Sequence, residues 1–280
     1  MNHYLTAANL AAFRTHLREE ERSPGTIDKY GRDLRAFARW LAGRAVTKEG
    51  VSAWKASLQE AGYAPTTINA MLASVHSFFA FAGWGDYRVK YLRIQRRLFR
   101  DTTRELTRAD YERLVGTACA RGQRRLALVI ETIAATGIRV SELRYITVEA
   151  ARAGRADIAL KGKIRTILIP AKLCKKLRTY AKHKKITFGE IFLTKGGHSL
   201  SRKQIWAEMK RLCTAAGVDP RKVFPHNLRH LFAVTYYKVS NNIAHLADLL
   251  GHSSIETTRL YLVTSGQEHA RDLERLGFVL

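Results

Sequence analysis

Cysteine, acidic residues and long apolar runs are all scarce in this chain, and each scarcity narrows what it can be. The three cysteines, Cys119, Cys174 and Cys213, are odd in number and far apart. No CxxC pair occurs, so neither a zinc knuckle nor a disulfide framework is supported, and a reducing, cytoplasmic setting is expected. Met1-Asn2-His3-Tyr4 lacks the charged start and apolar run of a signal peptide, so none is predicted. No stretch of about 18 apolar residues exists, and no membrane span is predicted. The five histidines from His198 to His252 lack zinc spacing and a neighbouring carboxylate, so no metal or other cofactor is expected.

The shortage of negative charge says the most. Forty-eight Lys and Arg face 24 Asp and Glu, a formal charge of +24. Residues 1–100 and 101–280 are basic in the same two-to-one proportion. An excess of that size on both parts points to a polyanionic partner, nucleic acid ahead of a membrane surface. At 46% hydrophobic and 26% charged, the 280 residues suffice for two compact domains, each with a core.

The first part reads as helical throughout. Thr6 can cap a helix from Ala7 to about Glu21, with Leu10, Phe13 and Leu17 as its buried stripe. Ser23-Pro24-Gly25 breaks it, and Thr26 starts a second helix whose apolar face runs from Ile27 to Leu41. Arg32, Arg35 and Arg39 lie off that face, where a phosphate backbone could be reached. Further helices are expected over Lys48–Glu60 and from Pro65 to the Gly83-Trp84-Gly85 turn. The stretch from Tyr87 to Arg104 is dense in arginine, Arg96 and Arg97 included, and has no sustained apolar period. These signals divide the chain into a helical domain over 1–98, a basic linker over 99–106 and a second domain over 107–280.

The second domain adds a small amount of β-structure, so the fold class is mainly α with a small antiparallel sheet. A helix from Arg124 to Ala135 ends at Thr136-Gly137, and a second is expected to open with Ile138-Arg139-Val140-Ser141-Glu142-Leu143. Glu142, three residues after Arg139, can pair with it or orient it. Strands over Asp157–Leu160 and Thr166–Ile169 flank a Lys161-Gly162-Lys163 turn. A further short strand is expected at Ile191-Phe192-Leu193. Ser201 then caps a helix carrying Arg202, Lys203 and Lys210, a candidate for a DNA groove.

The stretch from Phe224 to Tyr261 is where chemistry concentrates. Pro225 suits the first turn of a helix. His226, Arg229 and His230 share one face of it at i, i+3 and i+4. A helix over Ile243–Leu250 is stopped by Gly251. The next is expected to be capped by Ser253, with Glu256 in capping-box position and Tyr261 about two turns in. Guanidinium groups hold phosphate oxygens in a bidentate fork. A phenol, with a pKa of about 10, needs a base or cationic surroundings to act as a nucleophile. The set suits phosphate chemistry.

TGIRVSEL, the KGKIRTILIP hairpin, HNLRH, LGHSS and the tyrosine nine residues after its histidine together resemble the tyrosine recombinase (phage integrase, Xer-like) family. The likeness is strong from about Thr107 onward, and residues 1–100 resemble that family's helical core-binding domain. It implies catalytic Arg139, His226, Arg229, His252 and Tyr261, with a hairpin lysine as general acid. The hairpin is one residue shorter than the family's common pattern, which leaves Lys161 as the better match and Lys163 as the alternative. It further implies site-specific recombination on double-stranded DNA through a 3′-phosphotyrosyl link, without cofactor. Other protomers of the same chain, in a tetrameric synapse, would be its partners. A type IB topoisomerase and a non-catalytic DNA-binding protein are the competing readings. A helix from about Gln267 to Leu276, with Leu273 and Leu276, is expected to dock on a neighbouring protomer.

The charge excess carries its own test. If about six to ten phosphates are contacted, affinity for duplex DNA falls by roughly three to five orders of magnitude between about 50 and about 200 mM salt. A flat response in a binding titration would mean that the basic excess is not a nucleic-acid surface.

Overall fold

The computed structural model describes residues 3–94, 102–160, 163–252 and 254–262. Arg96, Arg97, Lys161, Ser253, the linker residues 99–101 and the expected C-terminal helix lie outside the described residues, as does the side chain of Lys163. The chain divides into two compact units, Met1–Arg96 and Arg97–Leu280.

The first unit is four helices closed by a short 3-10 turn: α1 (Ala7–Glu19), α2 (Pro24–Leu41), α3 (Lys48–Glu60), α4 (Pro65–Ala82) and Gly85–Tyr87. Thr6 and Asn9 form a reciprocal capping box on α1. α1 ends before Ser23-Pro24-Gly25, and α2 starts at Pro24, two residues ahead of the expected Thr26, with Ser23 as cap and Pro24 as its first residue, where a missing N–H costs nothing. Leu34, Phe37, Trp54, Ile68, Phe78 and Phe79 fill the core. The buried Asp33 carboxylate accepts from Lys29 Nζ at 2.7 Å and from Ser74 Oγ at 2.8 Å, which pins α2 to α4. Arg32, Arg35 and Arg39 are exposed on the opposite side of α2.

The second unit runs α5 (Arg108–Ala120), α6 (Arg124–Thr136), a 3-10 segment (Val140–Tyr145), α7 (Val148–Ala153), β1 (Arg155–Leu160), β2 (Lys163–Leu168), α8 (Ala171–His183), α9 (Arg202–Ala216), a 3-10 turn (Pro220–Lys222), α10 (Pro225–Ser240), α11 (Ile243–Leu250) and α12 (Ile255–Arg259). The fold is thus mostly helical with one two-stranded antiparallel sheet, registered from Arg155 opposite Leu168 to Leu160 opposite Lys163. α6 is buried along nearly its whole length by Leu126, Val129, Ile130 and Ile133. Among the described residues no helix is long and apolar enough to cross a membrane.

Three local expectations are corrected. Ile191-Phe192-Leu193 is not a strand: Glu190 before it and Leu193 at its end make only single bridges, to Thr147 and Ser199. The run is apolar because Ile191 and Phe192 are buried, not because they extend a sheet. The segment after Gly137 is a 3-10 helix beginning at Val140, with Arg139 still in extended backbone. α12 is capped by Ser254 and is five residues long, so Tyr261 follows its end instead of lying two turns inside it.

Gly137 and Gly251 end α6 and α11 with φ of +65° and +61°. Both also allow close approach. A Cβ at Gly137 would collide with the Phe232 ring, and one at Gly251 with the Arg165 side chain. These two glycine ends bring the terminal carbonyls of α6 and α11 towards one point.

Candidate active site

That point is occupied by Arg229, on α10 and only 3% exposed. Its Nη1 donates to the Gly137 carbonyl at 2.5 Å and its Nη2 to the Leu250 carbonyl at 2.7 Å. Both carbonyls belong to helix C-termini, which leave acceptors without intrahelical partners and carry partial negative charge. A cation that would be costly to bury alone therefore meets acceptors that would be costly to bury empty. Burial lowers the pKa of Arg229, a hydrogen bond with the Tyr261 side chain opposes that, and the charges of Arg139 and Arg165 add to the lowering.

Glu142 organises a second cationic pair. It is 3% exposed and accepts from the Arg139 backbone N–H at 2.7 Å, from Arg139 Nη1 at 3.0 Å and from Arg165 Nη2 at 2.5 Å. Arg139, by contrast, leaves 45% of its side chain exposed and reaches the Gly251 carbonyl with Nη2 at 3.4 Å. Arg165 turns inward, with Nη1 donating to the Leu249 carbonyl at 2.9 Å. Its Nε is buried and has no hydrogen-bond partner among the described residues. One carboxylate therefore ties the loop after α6, the strand β2 and, through Arg165, the end of α11.

The imidazoles surround the phenol. Tyr261 is 7% exposed, and its ring centroid lies 5.6 Å from that of His252, 5.5 Å from that of His226 and 5.4 Å from that of His230. The His252 and Tyr261 rings are stacked at 12°. His230 Nε2 lies 3.2 Å from the Tyr261 carbonyl, and the Tyr261 N–H donates to the Thr258 carbonyl at 2.9 Å. His252 Nε2 lies 3.0 Å from Arg229 Nη2 and its Nδ1 lies 2.8 Å from Thr258 Oγ1. Burial first, then the charges of Arg229, Arg139 and Arg165, lowers the His252 pKa to about 4. The ring is neutral near pH 7.

Of the residues expected from the sequence, Arg139, Glu142, His226, Arg229, His252 and Tyr261 converge here. Arg202 and Lys203 are exposed in the first turn of α9. Lys210 donates to the Pro220 carbonyl and sits 5.4 Å over the Trp206 ring. Two participants were absent from the expectation. Arg165 had a signal: it shares a strand face with Ile167 and Ile169, both buried, and an arginine on an apolar strand face needs a reason. Thr258 had none, since a threonine in a short polar helix is unremarkable until its neighbours are known. Among the described residues no three His, Cys, Asp or Glu side chains gather as a metal site.

The profile of the phage integrase family matches residues 104–268, and that of the phage integrase N-terminal SAM-like domain matches residues 10–86. Tyrosine recombinase XerA of Thermococcus kodakarensis is 29% identical over 94% of this chain and 95% of its own. Tyrosine recombinase XerC of Roseiflexus castenholzii is 31% identical over 89% and 87%. Among solved structures, the Tn1549 transposon integrase in complex with transposon right end DNA superposes with a TM-score of 0.73 at 18% identity, covering 96% of this chain and 99% of that one. A lambda integrase dimer bound to a COC′ core site gives 0.72 at 18% identity, over 92% and 77%.

The depressed His252 pKa has a thermodynamic consequence. Folding holds the ring neutral down to about pH 4, whereas an unfolded histidine takes up its proton near 6.5. Between those values the unfolded state binds more protons, so this contribution to stability is complete above about pH 6.5 and is lost as pH falls towards about 4. Urea unfolding at stepped pH should show that loss in the wild type and a shallower one in His252→Gln. Equal slopes for the two proteins would remove His252 as its source.

Proposed function

Because the chain belongs to the phage integrase family of tyrosine recombinases, we propose that Tyr261 is its nucleophile and that the side chains gathered around it divide the work of one DNA phosphoryl transfer. The observation that carries this reading is the phenol enclosed by three imidazoles and joined to the buried Arg229 guanidinium. The Tyr261 oxygen attacks the phosphorus of a DNA phosphodiester. A bond from phosphorus to the phenolic oxygen forms, the bond to the 5′-oxygen breaks, and a 3′-phosphotyrosyl link remains. His226, exposed beside the phenol, takes its proton. A hairpin lysine, Lys161 with Lys163 as the alternative, gives one to the departing 5′-oxygen.

The two arginines have different tasks because they are held differently. Arg229 is fixed by helix-end carbonyls and supplies a rigid positive field. Arg139 is oriented by Glu142 yet open to solvent, so it offers free N–H donors to the non-bridging oxygens where charge builds up. His252 hydrogen-bonds the same phosphate. The link conserves the energy of the broken bond, and a 5′-hydroxyl from a second DNA reverses the step without ATP.

The enzyme is a site-specific DNA recombinase. Its curated relatives are recombinases matched over most of their length, which favours strand exchange over topoisomerase action or passive binding. We place the chain on paired double-stranded sites as several protomers, a tetramer in the full synapse, with the lambda integrase dimer on its core site as the support. Arg32, Arg35 and Arg39 on α2, and Arg202 and Lys203 on α9, are proposed to meet the DNA backbone. Lys210, engaged with Pro220, is the weakest of that set. The cytoplasm is the proposed compartment, consistent with three free cysteines.

Covalent trapping on genomic DNA, followed by sequencing of the DNA that stays bound, both tests the chemistry and identifies the site. Tyr261→Phe should abolish the adduct while leaving DNA binding nearly intact. Tyr236 and Tyr237 pack in the small apolar cluster beside it, and phenylalanine at either should leave the adduct in place. A normal adduct yield from Tyr261→Phe would end the assignment.

The lysine is resolved by chemistry at the leaving group. A sulfur-bridged 5′ position needs little protonation to depart, so such a substrate rescues only a variant that has lost the acid. Lys161→Ala should be slow on normal DNA and near normal on the sulfur-bridged duplex. The same rescue seen for Lys163→Ala instead would transfer the role.

A further inference from the structure

α12 is a five-residue helix with a single buried side chain, and that side chain is polar. Thr258 is 0% exposed. A valine of the same shape would fill the space, so the hydroxyl calls for an explanation. It lies 2.8 Å from His252 Nδ1, while the other ring nitrogen, Nε2, lies 3.0 Å from Arg229 Nη2. A guanidinium has donors only, so Nε2 must be the acceptor in that pair. The neutral ring then carries its proton on Nδ1, and Thr258 Oγ1 accepts it.

That arrangement suits the protein without DNA but not with it. A phosphate oxygen is an acceptor, and a ring whose Nε2 is unprotonated cannot donate to it. A charged imidazolium could donate from both nitrogens. Three guanidinium groups, of Arg229, Arg139 and Arg165, and the His226 ring oppose that charge. A change of tautomer supplies the donor without adding that charge. The ring releases its Nδ1 proton to water and takes one at Nε2, so the proton count is unchanged. Nδ1 then needs a donor in place of an acceptor. A hydroxyl serves both needs by rotating, which no apolar side chain of that size can do.

We propose that Thr258 is a positioning residue that lets the neutral His252 ring exchange tautomers, its Nε2 accepting from Arg229 in the free protein and donating to the scissile phosphate once DNA is bound. This rests on the reading, given above, that His252 hydrogen-bonds the phosphate. Thr258 is suited to couple the two events because its carbonyl also holds the Tyr261 N–H at 2.9 Å. The ring that senses the phosphate and the nucleophile are thus referred to the same residue.

The test has an arm that needs neither variant nor DNA. In ¹⁵N-histidine spectra of the free wild-type protein at neutral pH, His252 should show a protonated Nδ1 and a bare Nε2. A proton on Nε2 there would overturn the proposal. On adding the duplex recovered by covalent trapping to Tyr261→Phe protein, which cannot cleave it, the proton should move to Nε2. Persistence on Nδ1 would equally overturn it. In single-turnover cleavage of that duplex, Thr258→Val should be slower by roughly three- to tenfold, the loss expected for one net hydrogen bond, with Thr258→Ser close to wild type. Thr258→Val at the wild-type rate would refute the proposal. His252→Ala separates the two layers. If it is impaired while Thr258→Val is normal, the phosphate contact stands and the tautomer role falls. If His252→Ala itself cleaves normally, the reading on which the proposal rests is the one that fails.

Discussion

The contact on which the second unit's site depends is the buried Arg229 guanidinium between the carbonyl ends of α6 and α11. Desolvating a charge is expensive, and an isolated one would lose its proton or unfold its surroundings. Here the compensation comes from backbone that is itself in need of a partner. The helix ends cannot approach without a cation between them, and the cation cannot be buried without them. Gly137 and Gly251 make the approach possible, since each must take positive φ and each meets a side chain where a Cβ would stand. Removing either partner leaves a buried group unsatisfied, so the junction forms as a whole or not at all.

Around that junction the structure concentrates like charge and then limits its cost. Arg139, Arg165 and Arg229 act electrostatically on one another and on His252, and Glu142 is the one carboxylate ion-paired with Arg139 and Arg165 among the described residues. It holds Arg139 by both backbone and side chain, so the guanidinium has little freedom although 45% of the side chain is exposed. Arg165 does the reverse. It is drawn in from the strand, shares the carboxylate, and spends its other amino group on the Leu249 carbonyl. The hairpin is thereby keyed to the helix end beside His252, which sets β2 in a fixed relation to the remainder of the site.

What the sequence discloses of this, and what it withholds, follows from the range of each interaction. His226, Arg229 and His230 could be placed on one face because helical periodicity is local. The caps at Thr6 and Ser201 and the stop at Gly251 were readable for the same reason. The start of α12, ahead of Tyr261, was misread because two adjacent serines offer the same capping chemistry, and local pattern does not choose between them. Arg165 could not be assigned a partner: Glu142 lies 23 residues away and Leu249 lies 84. Its alternation with Ile167 and Ile169 gave the direction of the side chain but not its destination. Thr258 was hidden more completely, since its meaning resides in the protonation of a ring that only the fold brings near.

These features make the site electrostatically unfinished without an anion. Three guanidinium groups gather where Glu142 neutralises part of their charge, and burial, reinforced by their proximity, keeps His252 neutral. A phosphodiester placed against Arg139 would supply the missing negative charge at the solvent-open edge of that cationic cluster. Its arrival relieves repulsion that folding has already overcome, so part of the binding energy is stored in the free protein. The same relief is selective in time. In the proposed transfer, charge would accumulate on the oxygens facing these groups as phosphorus becomes five-coordinate, and the attraction would grow while the helix-end carbonyls hold Arg229 still. A donor set that is rigid before the anion arrives has no reorganisation to perform when the charge is greatest, which is the physical basis on which so few side chains could carry the proposed transfer.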